Sequence, residues 1–129
     1  MNKNPMYEDF RRSGPMEVIA IALSQFAVSL QPDGEFVQRG RRWIFHPNNF
    51  VAFEVQPRKA RVVLTLCGSP AAFRERSEAF GLKDEYVKVL ERDRPSYSRY
   101  PVGSPRQLLA ASQFIKWAYD NSKPRKKSK

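Results

Sequence analysis

The chain has 129 residues, which matches one domain with its own core, and its single cysteine excludes an internal disulfide. Lysine and arginine total 23 against 13 acids, a formal charge of +10 that favours polyanionic partners or plain solubility and says nothing about fold. The longest apolar run, Val18 to Leu23, is too short to span a bilayer, and no signal-like apolar region opens the chain, so a cytoplasmic, reducing setting is expected.

Five of the cations fall in the terminal run Lys123–Lys129, which leaves a body of only +5. Residues 1–12 are polar and read as a flexible segment, 13–121 as a single domain, and 122–129 as a disordered basic tail. Ser13-Gly14-Pro15 opens a helix, with Pro15 suited to its first position, and Ile19, Leu23, Phe26 and Leu30 form one apolar stripe along it. Gln31-Pro32-Asp33-Gly34 closes it in a turn.

From Glu35 the apolar period changes from helical to two. Glu35–Arg39 and Arg41–His46 read as short strands about Gly40. Phe50–Val55 and Arg61–Cys67 flank the turn Gln56-Pro57-Arg58-Lys59, the clearest hairpin in the chain. Val51, Phe53 and Val55 share one face with Val62, Leu64 and Leu66. The opposite face carries Glu54 and Thr65 together with Phe50, Ala52, Val63 and Cys67, so it is expected to be covered or to meet a partner.

Ser69 and Pro70 start a helix that Gly81 ends, with Phe73, Ser77 and Phe80 along one face. A second short helix spans about Asp84–Glu91 and is broken by Arg92-Asp93-Arg94-Pro95. Ser96–Val102 reads as an edge strand because Pro101 has no ladder donor. Ser104-Pro105-Arg106-Gln107 is a capping box opening the last helix, whose core stripe is Leu108, Ala111, Ile115 and Ala118, widened by Phe114, Trp117 and Tyr119. The sum is an α+β domain: an antiparallel meander of four to five strands with an N-terminal helix, two short middle helices and a C-terminal helix.

Catalytic signatures are sparse. His46 is the single histidine and Cys67 the single cysteine, so neither has a partner of its own kind for a metal site, and phosphate-loop, HExxH, GxSxG and CxxC patterns are missing. No cofactor is expected. A restriction-type nuclease would use an aspartate after proline and an acid-x-lysine triplet to hold a divalent ion. Asp33 and Glu54 stand at those places, but Gln56 replaces the lysine. Basic residues interleaved with aromatics carry the better lead: Arg39, Arg41, Arg42 and Trp43 at one turn, Arg58, Lys59 and Arg61 at the next, and Arg99 in a third group with Arg92, Arg94, Tyr97 and Tyr100. Lys123, Arg125, Lys126 and Lys127 add sequence-independent attraction to phosphates. Charged turns also solvate hairpin tips and guard edges, which is the structural alternative. Nucleic acid is therefore the first expected partner, with a protein partner or small ligand on the second sheet face as the other reading.

The run NNFVAFEVQPRKARVVLTL, the helix Met16–Leu30 and the helix Pro105–Asp120 with its Ile115-x-x-Ala118-Tyr119 ending resemble a small, mostly bacterial domain family of unknown function sometimes labelled "predicted transport protein". The resemblance spans roughly residues 16–120. It implies no catalytic residues, and members that accompany DNA-handling modules make nucleic acid the implied partner. The Ser-Pro helix after a hairpin and the Ala-Tyr end helix are also similar, at the level of fold, to the MmcQ–YjbR family, which implies a DNA-binding-like role.

Overall fold

The computed structural model describes residues 4–122. Six strands, β1 (Glu35–Arg39), β2 (Arg42–His46), β3 (Val51–Gln56), β4 (Arg61–Cys67), β5 (Glu91–Arg94) and β6 (Tyr97–Val102), form one antiparallel sheet in the order β1-β2-β3-β4-β6-β5. Helices α1 (Pro5–Phe10), α2 (Glu17–Leu30), α3 (Pro70–Phe80), α4 (Asp84–Val87) and α5 (Leu108–Ser122) contribute to one core on one face of that sheet. The α+β class is the one that the periodicity predicts.

The core is built on a row of side chains that crosses four neighbouring strands: Trp43 pairs with Phe53, Phe53 with Leu64, and Leu64 with Tyr100. Aromatic edges close around it. Phe36 meets Phe45 and Phe53 at centroid distances of 5.0 and 5.4 Å, and Tyr100 meets Phe114 of α5 at 4.9 Å. Small residues on the buried faces of α2 (Ala20, Ala27) and α5 (Ala110, Ala111, Ala118) let the two helices lie close to each other and α5 close to the sheet. Ser69 caps α3 through its hydroxyl to the Ala72 amide, and Gly81 ends it with φ +91°. Ser104 and Gln107 form the predicted capping box, although a 3-10 turn, Pro105–Gln107, precedes α5.

Several expectations need correction. Residues 5–12 are not a loose segment: Asn4 caps α1, and Met6 and Phe10 lie in the core, Phe10 fully buried and 5.6 Å from the Phe53 ring. Helical periodicity misses a six-residue helix because it spans less than two turns. Pro15 sits inside a 3-10 stretch, Arg11–Met16, so α2 begins only at Glu17. Its deeply buried face is Ala20, Leu23, Ser24 and Ala27, whereas Ile19, Phe26 and Leu30 flank it.

Glu91–Arg94 is a strand, not a helix end, which makes six strands instead of four to five. Its all-charged sequence has no alternation to read. β6 is consequently internal. Pro101 is tolerated because its carbonyl accepts from Gln107 Nε2, away from β4, and β5 begins only at Glu91, opposite Arg99, so no β5 residue on that side pairs with Pro101. Phe50 precedes β3, turns into the main core and meets Tyr119, so strand alternation does not place it on the second face. Leu108 and Phe80 are exposed. The basic run 123–129 lies outside the described residues.

One helical stretch of the described residues, Pro5–Leu30, contains an 18-residue window of mean hydropathy 1.3, long and apolar enough by length and composition alone to cross a bilayer. Gly14 breaks it with φ +65°, and one face of α2 is spent on the core, the features of a core helix.

Phe10→Ala should destabilise the protein by about 3–5 kcal/mol in urea unfolding, because it empties a closed aromatic site; a loss below 1 kcal/mol would mean that the N-terminal helix is dispensable. Burial pushes the Tyr100 hydroxyl up to about 12, with Gln107 opposing the shift and Tyr86 reinforcing it. The hydroxyl makes no well-formed hydrogen bond, since the Gln107 amide is already engaged by Pro101, Gly103 and Ser104. A folded-state value above the unfolded one contributes stability that is present below pH ~10 and is lost as pH rises towards 12. Melting temperature should fall across that interval more steeply for the native protein than for Tyr100→Phe.

Candidate nucleic-acid interface

In an antiparallel meander, alternate turns lie at the same end of the sheet. The β1–β2 loop, Gly40-Arg41, and the β3–β4 turn, Pro57–Lys59 with Ala60, therefore meet at one end. Gly40 adopts φ +62°, which suits the first position of a two-residue hairpin and sets Arg41 at its tip. Ala60, in the left-handed region at φ 49°, turns the chain back after Lys59 and closes on the Pro57 carbonyl at 3.1 Å.

The two turns and the 3-10 stretch after α1 enclose an open cleft of about 760 Å³ lined by Arg12, Arg41, Arg58, Lys59, Asp9 and Glu54, among others. Arg41, Arg58 and Lys59 are exposed, and none of them forms an ion pair among the described residues. Both carboxylates are already engaged. Asp9 accepts the Trp43 indole N–H at 3.0 Å and an Arg12 guanidinium N–H at 2.7 Å. Glu54 lies 3.8 Å from Arg42. The cleft thus offers three uncommitted cations, and the wall's acids carry their own counter-charges.

Other predicted residues are placed differently. Arg39 is exposed, forms no ion pair among the described residues, and lies directly opposite Arg42 in the β1–β2 ladder. Arg42 is held between Glu54 and Asp93, the latter at 3.9 Å. Arg61 donates from Nε to Gln56 at 2.7 Å, and Arg99 pairs with Glu91 at 2.8 Å. Trp43 is 7% exposed and faces the core, so its ring is not a base-stacking surface. Tyr100 is likewise a core residue, and Arg94 stacks over Tyr97 at 4.2 Å near the opposite end of the sheet. Lys123, Arg125, Lys126 and Lys127 lie outside the described residues.

Asp33 and Glu54 do not form a metal pair. Asp33 precedes β1 at the sheet's far end, whereas Glu54 is level with Arg42 and Arg39 near the cleft end, a separation of roughly six residues of strand, or ~20 Å. No group of three or more histidine, cysteine or acidic side chains suited to a metal occurs among the described residues.

The second sheet face carries no helix of the shared core, yet Ala52, Val63 and Thr65 on it are buried. The Arg42–Asp93 contact explains this. It joins β2 to β5 across β3, β4 and β6, four steps of ~4.8 Å each in a flat sheet. Two side chains meet over that span only if the sheet coils towards this face. On that concave side Arg42, Glu54 and Asp93 form ion pairs, while Val37 and Ile44, beside Ala52, stay half-buried.

Arg12 and Asp9 are the residues that sequence reasoning missed. Asp9 lies 34 positions from the indole it binds, and no local pattern marks such a pair. Trp43→Phe should cost about 1–2 kcal/mol in chemical denaturation by removing the bond to Asp9 while keeping the ring's packing; an unchanged midpoint would show that Asp9 is held by Arg12 alone. No protein-family model, curated protein or solved structure matches the chain.

Proposed function

We propose that this protein is a non-catalytic nucleic-acid-binding module of the cytoplasm that grips the sugar–phosphate backbone at the sheet end where two hairpins meet. The carrying observation is that Arg41, Arg58 and Lys59, from separate turns, line one open cleft and have no carboxylate partner among the described residues. Unpaired, exposed cations keep their full value for an incoming polyanion, because no internal ion pair has to be broken first. The six cleft side chains named above include no aromatic, and the nearby Trp43 is buried, which favours contact with phosphates over base stacking. Such contacts position a duplex without reading its sequence. The basic run Lys123–Lys129 adds non-specific attraction to the same partner.

Fluorescence anisotropy with a labelled 20-base-pair duplex checks this. Affinity should fall steeply with salt, and the Arg41→Ala/Arg58→Ala/Lys59→Ala variant should bind at least tenfold more weakly at 100 mM salt, with a log–log salt slope shallower by up to about 3. Unchanged binding in the triple variant, loss only on removing residues 123–129, or stronger binding to phosphatidylserine vesicles than to the duplex would each overturn the proposal.

A further inference from the structure

A second cleft, also about 760 Å³, opens at the same end of the sheet, beyond the β3–β4 turn. Arg61, Lys88, Glu85 and Arg106 supply its charged side chains, with Glu91 at the rim. Lys88 and Arg106 are exposed and form no ion pair among the described residues. Glu91 is turned to Arg99 at 2.8 Å, which leaves Glu85 as the one acid of this cleft without a cation. The wall bearing Arg106 is tied down by Gln107, which accepts from the amides of Gly103 and Ser104 at 2.8 and 3.1 Å and donates to Pro101 at 2.8 Å.

Arg61 lines the second cleft and is tied to the first through Gln56, which lines that one. It is the first residue after the β3–β4 turn, its Nε is pinned by Gln56 on one side, and a side chain on Gly103 would stand 3.6 Å from its Cβ on the other. Its terminal guanidinium nitrogens have no hydrogen-bond partner among the described residues and remain available to a ligand.

We infer that Arg61, Lys88 and Arg106 form the second half of a single polyanion track, so that one duplex backbone runs from the Arg41–Arg58–Lys59 cleft across the β3–β4 turn into this one. The inference rests on the function proposed above and extends it from a point contact to a line. The first cleft is lined by residues of β1 and β3 and the second by residues of β4, β6 and β5, so the two are centred about three strand steps apart, roughly 14 Å. That matches about four nucleotide rises of ~3.4 Å along one strand, so phosphates of one backbone reach both clefts. Six cations then face one backbone, and Glu85 is the residue that opposes it.

The test compares Lys88→Ala/Arg106→Ala, Glu85→Gln and the triple variant of the first cleft on the same 20-base-pair duplex, with circular dichroism as a check on folding. All the substituted positions are exposed. The double variant should bind about five- to tenfold more weakly, with a salt slope shallower by up to about 2, and Glu85→Gln should bind about two- to threefold more tightly. A weakened triple variant beside an unchanged double variant and an unchanged Glu85→Gln overturns the extended track and leaves the first cleft standing. Wild-type affinity in all the variants overturns both readings. Loss in the double variant alone moves binding to the second cleft and overturns the continuous track.

Discussion

The register that puts Trp43, Phe53, Leu64 and Tyr100 in one row across β2, β3, β4 and β6 governs everything else in this protein. Side chains alternate along a strand, so a slip of one residue would turn Arg42, Glu54 and Arg99 into the core and Phe53 and Leu64 into water. Burying three charges without partners costs far more than any turn contributes, so the row admits one register. With the register set, the ends of the strands are set, and with them the turns that carry Arg41, Arg58 and Lys59.

The coil of the sheet follows from its two unlike faces. One face is filled by large aromatic rings and packed by helices. The other carries small side chains, Ala52, Val63 and Thr65, beneath a lattice of charges. Small residues on the concave side let β5 approach β2 closely enough for Asp93 to reach Arg42. This network also divides the basic residues into two populations. Arg42 and Arg99 are consumed by Glu54, Asp93 and Glu91, and they help shape the sheet. Arg41, Arg58 and Lys59 form no ion pair with those or any other acids among the described residues.

The N-terminal helix connects core and surface. Phe10 is packed against Phe53, which anchors the segment by burial, and Asp9 beside it spans to the Trp43 indole and to Arg12. A short segment with only two buried apolar residues, Met6 and Phe10, thereby supplies one wall of the cleft. Were it loose, the β1–β2 tip would face open solvent and the cleft would have no third side.

Much of this architecture is legible in one dimension because it depends on local chemistry. Period-two patterning specifies β3 and β4 and their core-facing residues, Ser69 with Gly81 bounds α3, and Ser104 with Gln107 starts the last helix, since caps and alternation act over a few residues. The large apolar residues of α2 mark a stripe to one side of its buried face, because the alanines that suit close helix packing carry a weak hydrophobic signal. β5 was invisible because its four charged residues become a strand only by pairing with β6. The basic tips could be named from sequence as a set. Which of them are free could not, since that turns on whether an acid from a distant strand reaches them. The chain by itself determined the fold class and the positions of its turns through local preferences; tertiary structure alone decided which charges cancel and which converge, because ion pairing is settled by distances between strands far apart in sequence.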